Sequence, residues 1–530
     1  MVDLSSFAGP FLPEIFLLTG TLLVFLLDVV GVRRIEVTGS VAVAVTSLAL
    51  LFVVADLGFA PVAFLATVPS GQVDQFVPGA TPLYSFTSLG FVFQSIFLIA
   101  ALLVSLASMS RPSNERGAPI FYGLLLLATL GMLLVAISSD LIFLLLSIEL
   151  TSLSTYLLVG YTRRDARSLE AAMKFYIIGA LSTTLSFFGA SLLYGAYGTT
   201  NLLAIRAVAG AVGYPVLVLL GYAFLISGLA FKATLVPFHA WAVDVYDGAP
   251  TDVTAFLTGA SKKVGLFAFF LVFLGPVLFV APGAGGSPFS GGVLNLGPIV
   301  QLTLSVLAVL TMTVGNVLAL LQKEMKRMLA YSSISQAGYM LIGIAIGTSP
   351  AIAGATMQMF AHVFMKTGAF LVVAAVAALG VGPLIDDWKG LGTRRPLLGV
   401  AFGLMLLSLA GVPLTVGFVS KFVLFSAAVE AKGYFVWLAV AGLLNSALSV
   451  FYYARVLKVM FFDRPEPMAL PTGAVVGGSE PPALPAGGLG YARATAIALI
   501  AVAIVLVGIY PQPVLGAIQS AAQHFVVVGA

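Results

Sequence analysis

Apolar runs long enough to cross about 30 Å of hydrocarbon alternate with short polar connections along most of the chain. Fourteen such runs stand at approximately 11–31, 37–55, 85–109, 118–137, 140–160, 171–197, 214–235, 251–279, 298–322, 326–347, 351–380, 397–428, 434–461 and 491–511. They are longer than the 9–11 or so residues of a barrel strand and lack period-two alternation, so the predicted elements are helices. The seventh and twelfth runs are interrupted, by Pro237 and by Gly411 with Pro413. Proline removes a backbone donor and breaks a helix.

The two breaks organise the chain. Pro413 lies 176 residues beyond Pro237, and a shift of that size carries the fourth to eighth runs onto the ninth to thirteenth. Five helices per unit is an odd number, so the second copy starts from the opposite side and the repeat is inverted. Interrupted helices at matching places of two halves point to a transport site. The predicted architecture is an all-α polytopic membrane protein of about 14 helices. Three N-terminal helices (1–117) precede a first five-helix repeat (118–280) and its inverted copy (298–462). A Pro- and Gly-rich linker (463–490) follows, expected to lie in the cytoplasm and to isolate the last helix (491–530, with its tail) from the bundle. Residues 281–297 are read as an outer loop.

Connections carry the orientation signal. Odd-numbered connections hold 16 Lys and Arg residues, among them Arg33, Arg111, Arg163, Arg327, Lys389 and Arg493; even-numbered ones hold Arg206 and Lys432. Both termini are therefore expected on the non-cytoplasmic side of a bacterial inner membrane. The start, Met1 to Pro10, has Asp3 and no Lys or Arg, so the first run reads as a retained helix and not as a signal peptide.

Composition agrees. Of 530 residues 60% are hydrophobic and 9% charged, with mean hydropathy +1.10; a soluble domain carries about 25% charged residues. The absence of Cys excludes disulfides, thiolate-bound zinc and iron–sulfur ligation on this chain, so any redox chemistry is expected on other chains. A net charge of +4 without basic runs gives no reason to expect nucleic acid.

Seven bases remain inside the apolar runs: Lys174, Lys232, Lys262, Lys263, Lys366, Lys421 and Arg455. Glu149 is the one carboxylate near mid-run. A charge at helix centre costs about 2.5–3.5 kcal/mol on insertion scales. Each of these groups either snorkels or pairs to hold helices, or carries protons. Lys174, Lys263 and Arg455, nearer run ends, are open to both readings; for Glu149, Lys232, Lys262 and Lys421 the second is preferred. Burial disfavours the charged amine and a nearby carboxylate restores it, so Glu149 and Lys232 are expected to work as a switch. His239, two residues past Pro237, caps freed carbonyls or relays protons. His362 and Lys366, four apart, share a helix face and are candidates for a relay between Lys262 and Lys421. Asp244, Asp247 and Asp252 surround a Gly-Ala-Pro-Thr turn and read as loop structure or a contact to a neighbour. Lys326 and Arg327 read as topology anchors.

Several stretches carry a family resemblance: RRDARSLEAAMKFYIIGALSTTLSFFGASLLYGAYGTTNL, FKATLVPFHAWAVDVYDGAPTDVTAFLTGASKK, KRMLAYSSISQAGYMLIG, VPLTVGFVSKFVLFSAAV and NSALSVFYYARVLKVMFF. Together they resemble the subunit N family of bacterial NADH-quinone oxidoreductase (complex I, NDH-1), over roughly 115–465. The resemblance implies 14 helices, two inverted repeats and broken seventh and twelfth helices. It assigns proton translocation to Glu149, Lys232, Lys262 and Lys421, with Lys263 an extra neighbour. His362 and Lys366 in AHVFMK are spaced as in the sister subunits L and M. Lys421 stands where subunit M has glutamate, and the long C-terminal extension of subunit L is lacking. The implied partners are other membrane-arm subunits and the lipid bilayer. Any FMN, iron–sulfur clusters and quinone would be held by other subunits, with no cofactor and no metal on this chain. Two other readings are a subunit of a multi-chain sodium/proton antiporter and a scaffold that does not pump.

Overall fold

A computed structural model describes residues 9–59, 62–66, 68, 82–111, 117–162, 165–209, 214–278, 289–290, 293–294, 296–464 and 490–529. Most of the expected outer loop (281–288, 291–292 and 295) and of the expected linker (465–489), with Arg163, Arg164 and Arg116, lies outside the described residues. Among those described, thirteen helices are long and apolar enough to cross a membrane. The remaining run, the twelfth, is the broken one, present as two shorter helices, Pro396–Ala410 and Val416–Glu430. The protein is a multi-pass, all-helical membrane protein; its one sheet is a pair of two-residue strands, Phe289–Ser290 and Val293–Leu294.

The spans form two layers. In the eighth (Thr251–Leu274), tenth (Met325–Ile346) and eleventh (Ser349–Ala378) spans, 94% of the apolar window is buried inside the protein, against 33% in the second (Ile35–Asp56). These three central helices carry Lys262, Lys263, His362 and Lys366. The outer spans turn leucines such as Leu22, Leu146 and Leu181 outward. The first three spans (Gly9–Val29, Ile35–Asp56, Ser88–Ser108) pack on one another and on the fourth (Ala118–Ala136).

Both breaks appear where the prolines place them. The seventh span (Pro215–Ala233) ends at Thr234, whose φ of 59° lies in the left-handed region, and resumes as Ala240–Gly248. A β-branched residue in that region costs roughly 1–2 kcal/mol, so the surrounding contacts enforce it. At the twelfth span Gly411 takes φ 91°, a conformation glycine adopts without penalty.

One expectation fails. The last long helix, Tyr491–Ile509, is not isolated: it packs against the third, eleventh and twelfth spans and buries Ala496, Ile497, Ile500 and Ile504. Arg493 Nη2 reaches Asp252 at 3.2 Å, with Arg111 Nε 3.5 Å from the same carboxylate. A buried acid must be paired, and Asp252, read as loop structure or a contact to a neighbour, makes such a contact, tying the last helix to the start of the eighth span. The tail in turn is a helix, Gln512–Gly529, seated on the third and eleventh spans through Ile518, Ala521 and Ala522.

Candidate functional site

The fifth span (Leu141–Val159) starts at Asp140, whose side chain accepts from the amides of Ile142 and Phe143 at 2.8 and 3.2 Å. This cap sets the register that turns Glu149 toward the sixth span (Ala166–Tyr197), where Thr183 donates to its Oε2 at 2.8 Å. Ser152, one turn on, faces the seventh span and accepts from Lys232 Nζ at 2.8 Å. The expected direct pair is therefore not closed: no ion pair joins Glu149 and Lys232, and each is held by its own hydroxyl. Lys232 lines a pocket together with five hydroxyl-bearing side chains, Ser152, Tyr156, Ser182, Thr183 and Ser186.

Gly265 explains how the eighth span comes close. A Cβ there would fall 2.8 Å from the carbonyl carbon of Lys232 and 2.5 Å from the Ala233 nitrogen, backbone atoms that cannot yield. Lys262, three residues earlier on the same face, donates to the Ser333 carbonyl (2.8 Å) and hydroxyl (2.9 Å). Its ammonium also stands 5.6 Å from the centre of the Tyr246 ring, within cation–π range.

Two π-helical turns, Leu257–Ser261 and Val363–Thr367, meet beside it; such turns loosen the helical ladder and recur at functional sites. Lys263 donates to the Thr258 carbonyl at 2.6 Å and lies 2.8 Å from His362 Nδ1. Its fully buried position excludes snorkelling. Lys366 donates to the Leu329 carbonyl at 2.9 Å and to the Ser332 hydroxyl. Among the described residues none of these bases joins an ion pair, and His362 Nε2 is buried with no partner.

From Ser332 the tenth span carries Gln336 one turn further. Gln358 Nε2 donates to Gln336 Oε1 (2.7 Å), and Ser420 Oγ donates to Gln358 Oε1 (2.5 Å). Beside Ser420, Lys421 donates to the carbonyls of Leu409 (2.8 Å) and Ala410 (3.1 Å) and to Ser446 (2.9 Å). Thus the structure brings Lys262, Lys263, His362, Lys366 and Lys421 together through Gln336, Gln358 and Ser420. The two glutamines were not singled out in the sequence, although amides within apolar runs are a readable signal.

Others stand aside. His239 is half-buried, with Nδ1 unpartnered; the Phe231 carbonyl before the break is taken by Trp241 Nε1 at 3.3 Å, so capping there falls to Trp241. Lys174 pairs with Glu170 and Asp244, and Arg327 with Asp244 and Asp247. Lys326 bonds the Asp247 and Ala249 carbonyls at 2.5 and 3.0 Å. This network joins the two repeats at one end of the bundle. Arg455 bonds the Gln322 carbonyl.

Residues 138–449 match the family model described as NADH:quinone oxidoreductase/Mrp antiporter, transmembrane. The chain is 42% identical over 439 residues to F420H2 dehydrogenase subunit N of Methanosarcina mazei, covering 81% of this chain and 82% of that one. It is 41% identical over 411 residues to NADH-quinone oxidoreductase subunit N of Trichlorobacter lovleyi (76% and 79%). A chain in the structure of respiratory complex I from Thermus thermophilus with bound aureothin superposes with a TM-score of 0.73 at 30% identity, covering 95% of this chain and 98% of that one.

Proposed function

We infer from its membership that this chain, which belongs to the NADH:quinone oxidoreductase/Mrp antiporter transmembrane family, moves protons through its row of buried lysines. It is a membrane-arm subunit of a proton-translocating NADH:quinone oxidoreductase. The two relatives are named for different electron donors, so the donor is not a property of this subunit. FMN, iron–sulfur clusters and quinone belong, in this reading, to other subunits. Identity to two redox-complex subunits favours it over a subunit of a multi-chain sodium/proton antiporter. The excess of Lys and Arg in odd-numbered connections supports termini facing away from the cytoplasm of a bacterial inner membrane.

The observation that carries the reading is a graded supply of acceptors. An ammonium has three N–H donors. Lys421 finds three acceptors, Lys262 and Lys366 two each, Lys232 one. Lys232 is thus the position whose charge depends most on what approaches it. With Glu149 turned to Thr183, the amine can release its proton; with the carboxylate beside it, the ammonium is held. The released proton passes to Lys262, across the Lys263–His362–Lys366 cluster, and along Ser332, Gln336, Gln358 and Ser420 to Lys421. The hydroxyls, imidazole and amides of the row both donate and accept, and each lysine accepts as the neutral amine and donates as the ammonium, so a proton can leave one side as another arrives.

The test is Lys232→Ala and Glu149→Ala in the assembled complex. Both are expected to lower proton pumping and coupled quinone reductase activity. Normal pumping in both would overturn the assigned roles, and an unchanged flux with Lys421→Ala would leave only a scaffold.

A further inference from the structure

The first three spans hold an acid–amide pair that the lysine row does not use. Glu14 stands in the first turn of the first span and Gln94 in the third, and Gln94 Nε2 donates to Glu14 Oε1 at 2.7 Å. Both side chains are buried, 5% and 1% exposed. The second oxygen of each group, Glu14 Oε2 and Gln94 Oε1, is buried too and has no hydrogen-bond partner. Two acceptors cannot satisfy one another, and leaving both bare in an apolar setting is costly. One proton removes both deficits. Placed on Oε2, it is donated to Gln94 Oε1, and the pair closes into a ring of two parallel hydrogen bonds.

No base is at hand to ionise the acid instead. Between residue 1 and Thr87 the only Lys or Arg residues are Arg33 and Arg34, past the far end of the first span, where Arg33 pairs with Asp28 at 2.7 Å. The fourth span, packed against the first, contributes no charged residue, and its one tyrosine, Tyr122, reaches the Ser105 carbonyl, a dozen residues past Gln94 along the third span. The third span itself has no charged residue. The charged group nearest this end of the second span is Asp56, a second acid, whose Oδ1 already accepts from the Val68 amide at 2.9 Å. Tyr84 packs edge-on against Phe11, beside the first turn.

We propose that Glu14 binds a proton and, in ring with Gln94, forms a proton-binding site in the N-terminal three-span unit, separate from the lysine row. The assembled complex is examined by infrared difference spectroscopy at neutral pH in sodium-free buffer, wild type minus Glu14→Gln. A protonated-carboxyl C=O stretch is expected in the wild type, absent from Glu14→Gln and shifted by Gln94→Leu. Glutamine reproduces the acid form, its NH2 replacing the OH, so Glu14→Gln is expected to keep the wild-type melting temperature while Glu14→Ala lowers it. A carboxylate stretch lost in place of the C=O stretch overturns the proposal. So does a Glu14→Gln variant as unstable as Glu14→Ala, or a C=O stretch that vanishes on adding sodium, which would put a cation between the two oxygens.

Discussion

Lys421 Nζ lies 2.8 Å from the carbonyl oxygen of Leu409, an oxygen whose helical partner would have been the nitrogen of Pro413. Proline has no N–H to give. The break in the twelfth span therefore produces the acceptor that holds the amine, and the two sequence signals, Pro413 and Lys421, are parts of one device. Lys421→Met is expected to abolish the contribution of this end of the row and to take the shorter donor from each of the Leu409 and Ala410 carbonyls, which keep only the longer bonds from Gln336 (3.4 Å) and Ser446 (3.3 Å), at about 0.5–1.5 kcal/mol per hydrogen bond lost. Pumping per quinone reduced and the melting temperature of the complex should both fall, measured in proteoliposomes and by calorimetry.

Ser152 accepts the one hydrogen bond that Lys232 donates. Ser152→Ala should release the amine toward Glu149 and lower turnover roughly fivefold, the ~1 kcal/mol of one neutral hydrogen bond. In a Lys232→Ala background the same change should do nothing. A double-mutant cycle on coupled quinone reduction checks this, since additive losses would separate the serine from the lysine.

Much of this was legible before any coordinates. Lysines inside apolar runs are conspicuous, and the prolines that interrupt the seventh and twelfth spans could be counted off. Partners were harder. Asp252 and Arg493 are 241 residues apart, and nothing local in either stretch announces the other; only the packing of the last helix and of the start of the eighth span on the same third and eleventh spans brings them together. Gln336, Gln358 and Glu14 were passed over for a similar reason. Glu14 stands in the first turn of its span, where an acid reads as ordinary polar material, and the two amides carry no charge to mark them until neighbouring helices close over them. Glu149 and Lys232 were expected as a direct pair, yet hydroxyls from Thr183 and Ser152 hold them apart, and hydroxyls carry no distinctive spacing.

The Asp252 carboxylate sits between two guanidinium groups, with Arg493 and Asp252 side chains only 7% and 6% exposed. Breaking a buried pair by removing one partner costs about 3–5 kcal/mol. Asp252→Ala takes the one carboxylate from both guanidinium groups, whereas Arg493→Ala leaves the acid with Arg111. The loss of melting temperature should therefore be larger for Asp252→Ala than for Arg493→Ala. The reverse order in a thermal scan of the purified complex would show that the last helix is anchored elsewhere.

Gln358 is the narrowest point of the row. It alone joins Gln336 on the tenth span to Ser420 on the twelfth, giving one hydrogen bond and accepting another. Leucine fills nearly the same volume, and hydrophobic swaps of conserved volume usually cost less than about 1.5 kcal/mol. Gln358→Leu, which also removes polar atoms, strands the Gln336 and Ser420 groups, yet the helices it touches stay packed by their apolar neighbours. The expected outcome is a complex that assembles and still reduces quinone when uncoupled, but pumps as poorly as Lys421→Met. Gln358→Glu should be worse than leucine, because a carboxylate midway between Lys366 and Lys421 would hold the ammonium form on both sides and trap the proton. Proton flux measured beside uncoupled quinone reduction separates the two effects. Full pumping in Gln358→Leu would mean that protons pass between Lys366 and Lys421 by another route.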